Sequence, residues 1–222
     1  MVNKDYILRL AERIGRELSI MLGLRKRDEI EEGLITIDDL FMRSTGLTSR
    51  FINSLSEEML LQSLSPLGRP NIEALIWAAA LLKAEGILHE RLGKESESYY
   101  RYVKSLYLFL EVFQHEPAFI ESEYMADIKE LLQKLEPYEV PATLTPKIMR
   151  YYEQLGLYAK AEDILTEHLE RHADDAEVIN YGHEFYQRLQ SKSMADLQAG
   201  NFSHEEIQEG ISHLGAITTR QM

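Results

Sequence analysis

Cysteine is missing from this chain of 222 residues, and with it go disulfides, zinc–thiolate and iron–sulfur sites and thiol nucleophiles. The absence fits a reducing compartment, and a cytoplasmic location is the expectation. Basic residues are outnumbered, 24 Lys and Arg against 37 Asp and Glu, for a formal charge of −13. Binding to a phosphate backbone relies on Lys and Arg displacing counterions, so a chain this acidic is a poor general binder of nucleic acid. Its one basic cluster, Leu24-Arg25-Lys26-Arg27, runs straight into Asp28 and Glu29. Those acids cancel its field, and a solvated turn between helices is expected there. Long apolar runs are missing too. The longest, ALIWAAALL at 74–82, falls far short of the ~20 residues that span a bilayer. The opening residues intersperse charges among apolar side chains, unlike the apolar core of a secretory signal. Neither membrane nor export is expected.

Sustained period-two alternation is also absent, which leaves little from which to build a sheet. Apolar residues recur instead at helical spacing: Ile7, Leu10, Ile14, Leu18, Met21 and Leu22 form one stripe, and Ile30, Leu34, Ile37, Leu40 and Phe41 another. Gly23, Gly46, the SPLGRP stretch at 65–70, Gly86, Gly93, Pro117, residues 136–146, Gly156 and Gly200 punctuate this pattern into about ten helices of ordinary length. Ser56 ahead of Glu57 and Glu58 reads as an N-cap with acids in the first turn, and Thr145 before Pro146 as an N-cap followed by proline at N1. The reading is all-α: an N-terminal helical bundle over 1–136, then a helical array over 145–214. The proline-bearing stretch between them is either a domain boundary or a long turn within one continuous domain. The end of the chain from Gly215 is expected to fray.

Chemistry is sparse. His168 and His172 lie one helical turn apart, but the acid between them is misplaced for a zinc protease and no third ligand is evident, so a polar face is expected. Asp38 with Asp39, and Glu57 with Glu58, are sequence neighbours and therefore diverge by about 100° on a helix, unsuited to acid and base acting on one atom. No glycine-rich phosphate loop is present. The aromatic run from Tyr99 to Phe113 repeats every three or four residues along one helix face, as a core helix does. No catalytic residue, cofactor or metal site is expected.

What the sequence does contain is a turn signature. Gly156 is followed by Tyr158, Ala161, Leu165 and Leu169: a glycine that permits a tight turn, an aromatic wedge, an alanine where two backbones approach, and an apolar stripe. With Tyr152 these residues resemble the tetratricopeptide repeat, a helix-turn-helix unit of about 34 residues. Tyr186 stands one such period after Tyr152, but Gly200, the next glycine-aromatic turn, lies 44 residues beyond Gly156, about ten too many for that repeat. The resemblance implies an antiparallel array with a partner groove on its first helices, here Arg150, Gln154, Asn180 and Glu184. The whole chain is similar to an uncharacterised bacterial family of helical proteins classed as a domain of unknown function. The similarity rests on LGLRK at 22–26, LSEE at 55–58 and YYEQLGLYAKAEDIL at 151–165, and implies fold and order rather than function.

The expected function is therefore that of a non-catalytic interaction or scaffold protein taking a protein or peptide partner. A small-molecule sensor or enzyme with a pocket between the two helical parts is the alternative. A DNA-binding regulator built on residues 20–34 fails on charge. A homodimer is a further expectation, because Tyr100, Tyr107 and Leu108 fall outside the main apolar stripe of their helix and need cover from another helix or another chain.

Overall fold

The computed structural model describes residues 4–220, with residues 4, 117, 118 and 218–220 described by backbone alone. Twelve α-helices and two 3₁₀ turns make up the described residues, with no strand among them. The chain divides into two compact units, Met1–Val140 and Pro141–Met222.

The first unit is organised on a helical hairpin, α5 (Ile72–Arg91) and α6 (Glu95–His115). Helix α5 is apolar nearly all round, from Leu75 through Ala78 to Leu88, and such a helix must be covered on every side. Helices α1 (Lys4–Leu22) and α2 (Arg27–Thr45) lie against it, while α4 (Glu57–Ser63) and α7 (Tyr124–Leu135) lie against α6, and α3 (Ser49–Ser54) adjoins α2. The α1 stripe lands in the core as read, Ile7, Leu10, Ile14, Leu18 and Met21 being buried. Caps fall where polar side chains offered them: Thr48 accepts from Phe51 N, Ser56 from Met59 N and Asn71 from Ala74 N. Gly46, at φ +75°, ends α2 in the left-handed conformation that glycine takes without strain.

Gly86 departs from its expected role as a breaker. It lies inside α5, where a β-carbon would come within 2.4 Å of the Tyr102 ring on α6. Its small size lets the two helices of the hairpin close on each other, so the glycine serves packing rather than a turn. The second apolar side of α6 is likewise satisfied internally: Leu108 is fully buried and Tyr107 is 5% exposed.

In the second unit, α8 (Thr145–Gln154) and α9 (Tyr158–Arg171) are joined by a turn whose Gly156 has φ +71°. Helix α10 (Ala176–Gln190) packs on this pair and on α12 (His204–Arg220). The short helix α11 (Met194–Ala199) intervenes between α10 and α12, and it takes up the extra residues between the two glycine turns. Ala161, Leu165, Leu169, Val178, Phe185, Tyr186, Phe202 and Ile207 build one core. Helix α12 runs on past Gly215 to Arg220, with Leu214 buried and Ile217 packed on that core, whereas the last two residues of the stretch expected to fray lie outside the described residues. Thr145 does not act as the N-cap. It is the first residue of α8, and its hydroxyl turns instead to His168.

Candidate functional site

The second unit carries an open cleft of about 560 Å³ where α8 and α10 end and α9 begins. From the last turn of α8 come Arg150, Glu153 and Gln154, three and four residues apart and so on neighbouring positions of one helix face. From the end of α10 come Arg188, then Ser191 and Lys192 just beyond it. The turn at Leu155 and Gly156, with Tyr158, supplies the less polar side of the cleft.

Glu153 organises these cations. Its side chain is only 6% exposed and lies in a fork: Arg188 donates Nε and Nη2 to its two oxygens at 2.9 and 3.0 Å, and Arg150 donates Nη1 at 3.1 Å. A buried carboxylate is tolerated because two guanidiniums and three charge-assisted hydrogen bonds compensate its desolvation. Burial works against the Arg188 charge, but the hydrogen bonds and charge of Glu153 outweigh it and hold its pKa above the ordinary arginine value. The Tyr181 ring under the guanidinium, 5.3 Å away, adds a cation–π contact. Arg188 is thus fixed from three sides. Arg150 commits one nitrogen to Glu153, and among the described residues neither the Lys192 ammonium nor the Gln154 amide has a side-chain partner.

Of the groove residues expected from sequence, the cleft brings together Arg150 and Gln154. Asn180 and Glu184 are exposed on α10 but do not line it, although Glu184 Oε2 comes within 3.7 Å of Arg188 Nη1. Sequence reasoning missed Glu153, Arg188 and Lys192. The signal for Arg188 was present: the spacing of four that links Asn180 to Glu184 reaches it one turn later. Of the expected oligomer residues Tyr100, Tyr107 and Leu108, only Tyr100 is exposed, at 59%. The other two are covered by the chain's own helices, so neither offers a surface to a second copy.

Two buried polar clusters lie elsewhere. His168, expected on an exposed face, is 7% exposed, with Thr145 Oγ1 at 3.1 Å from Nδ1 and Asp175 Oδ2 at 3.0 Å from Nε2. A hydroxyl, an imidazole and a carboxylate in series resemble a nucleophile relay, but Thr145 is 1% exposed, and Asp175 is committed to capping α10 through the Glu177 and Val178 amides. The series ties the ends of three helices together. In the first unit the buried Glu85 accepts from Ser49, from Asn53 and from Arg101 Nε at 3.1 Å. Burial raises the Glu85 pKa, and those partners act against the rise. Beside it, burial and the charges of Arg101 and Lys94 push His89 down to about 4, and its Nδ1 is buried without a hydrogen-bond partner. Among the described residues no three His, Asp or Glu side chains are grouped to hold a metal ion, and no helix is long and apolar enough to cross a membrane.

The architecture thus defines an all-α protein whose surface cleft is lined by paired and unpaired cations. The chain belongs to a family of unknown function, DUF6483, whose model matches residues 1–218. No curated protein and no solved structure matches the chain.

Proposed function

We propose that the protein is a non-catalytic interaction module that takes a segment of a partner protein in the cleft of its second unit. One observation carries this reading. The cleft combines a rigid element, the Glu153 fork with Arg150 and Arg188, with exposed polar groups at Gln154 and Lys192 that the fold itself leaves without side-chain partners. Rigid scaffolding beneath uncommitted donors is what recognition requires, because the groups that contact a ligand then lose little freedom on binding. General base chemistry requires an available lone pair near the reacting proton, and Glu153 faces three guanidinium hydrogen bonds instead. The helical hairpin around Gly156, resembling a tetratricopeptide unit, suits such a role, since repeats of that type present concave faces to peptides.

The test is affinity capture from a native lysate with the wild-type chain and with the doubly reversed Arg150→Glu/Lys192→Glu variant, both checked for helix content by circular dichroism. A partner retained by the wild type and lost from the folded variant supports the reading. Identical captured sets would refute it.

A further inference from the structure

We infer that the cleft at the ends of α8 and α10 recognises a carboxylate on its partner, so that the segment it takes is an acidic peptide; this rests on the reading of the cleft as a partner site. Three cations line the cleft, Arg150, Arg188 and Lys192, against the single acid Glu153, a local excess of two positive charges in a chain of net charge −13. Two helix C-termini, each equivalent to roughly half a negative charge, and one N-terminus, equivalent to roughly half a positive charge, meet there, so an excess of about one and a half positive charges remains to attract an anion. Glu184 lies outside the lining, and with its side chain 65% exposed its 3.7 Å contact with Arg188 is weakened by solvent. The distant acids of the chain are screened beyond about 8–10 Å at physiological salt.

The donors point to the same class of ligand. Phosphate sites at helix N-termini use unoccupied backbone N–H groups. Around the start of α9 two of these groups are already engaged, Leu157 N with Tyr152 O and Ala159 N with Gly200 O, and the side chains are the main donors of the cleft. The guanidinium of Arg150, held in place through Nη1, keeps its remaining N–H groups for the planar, two-oxygen geometry of a carboxylate. Lys192 and Gln154 add a charge and an amide donor on either side. Leu155 and Tyr158 give the cleft an apolar side that fits the stem of a glutamate or a neighbouring aliphatic residue.

The experiment uses the full chain, labelled with nitrogen-15 and titrated at low salt with an end-blocked hexapeptide of alternating leucine and glutamate. The control peptide carries glutamine in place of each glutamate, and inorganic phosphate is titrated separately. Saturable shifts at the amides of residues 150–158 and 188–192 are expected with the acidic peptide, with a dissociation constant at least tenfold below that of the glutamine peptide. Lys192→Glu, at an exposed residue that bonds nothing through its side chain, is expected to weaken binding at least tenfold while leaving the rest of the spectrum in place. Equal affinity for the two peptides, shifts outside the cleft, or no shift at millimolar peptide would overturn the inference, as would phosphate binding there more tightly than the acidic peptide. If a partner from the lysate still depends on Arg150 and Lys192 while the acidic peptide does not bind, the assignment of a carboxylate fails and the reading of the cleft as a partner site stands.

Discussion

Two glycine-to-alanine substitutions in helix interiors are expected to differ in effect, and the difference isolates what Gly86 does. Replacing a helix-interior glycine by alanine gains about 0.8–1.0 kcal/mol of helix propensity where nothing obstructs the new methyl group. At Gly15, on the exposed side of α1, a β-carbon meets nothing within 4 Å, so Gly15→Ala is expected to stabilise by somewhat under 1 kcal/mol. At Gly86 the same carbon comes within 2.4 Å of Cε1 and 2.6 Å of Cδ1 of Tyr102. That ring cannot easily move aside. It is 4% exposed, its hydroxyl donates to Glu90, and the Lys134 ammonium lies 5.2 Å from its centroid. Overpacking costs about 1–3 kcal/mol, which cancels or outweighs the propensity gain and leaves Gly86→Ala between about neutral and about 2 kcal/mol destabilising. Urea unfolding followed by the fluorescence of the single tryptophan, Trp77, reports directly because Trp77 lies on the same helix. Removing the ring with Tyr102→Ala should make the alanine at 86 stabilising by about 0.8–1.0 kcal/mol, as at Gly15, a coupling of about 1–3 kcal/mol. A Gly86→Ala chain as stable as Gly15→Ala would refute the argument that this glycine sets the α5–α6 approach.

Ala161→Leu places a larger side chain at a residue with no solvent exposure in the core of the second unit and is expected to cost roughly 1–3 kcal/mol, read from the denaturation midpoint; an unchanged midpoint would contradict the packing described. His168→Ala leaves Thr145 without its buried partner and removes the ring that joins it to Asp175, and a loss of about 2–3 kcal/mol is expected by chemical denaturation. Leu67, fully exposed at φ +56°, holds a strained left-handed conformation, so Leu67→Gly is expected to be neutral or to stabilise by up to about 1 kcal/mol; clear destabilisation would mean that its side chain supports the fold. His89 resists protonation down to about 4 when folded, whereas the unfolded chain takes up that proton near pH 6.5. Its contribution is therefore complete above pH 6.5 and is lost as pH falls toward 4, on the order of 1–2 kcal/mol after solvent screening. His89→Gln should flatten the stability profile between pH 7 and 5, and an equal fall in both chains would exclude His89 as the cause.

Much of the architecture was legible in the sequence because it follows from local rules. The spacing of Ile7, Leu10, Ile14, Leu18 and Met21 encodes one buried face wherever that helix is placed, and Ser56 and Gly46 mark helix ends through bonds made within a few residues. Gly156 was readable for the same reason, since its turn needs only its own left-handed backbone. Tertiary structure decided what depends on partners distant in sequence. Whether Gly86 breaks a helix or admits a ring depends on Tyr102, and whether Tyr107 and Leu108 face a second chain or the interior depends on how neighbouring helices cover α6. His168 passed for a surface residue until Thr145 and Asp175 enclosed it. The cleft shows the division most clearly. Arg150 and Gln154 were identifiable from their places on one helix, but the Glu153–Arg188 fork joins residues 35 apart in sequence, and no local periodicity specifies which carboxylate a guanidinium will meet once helices pack.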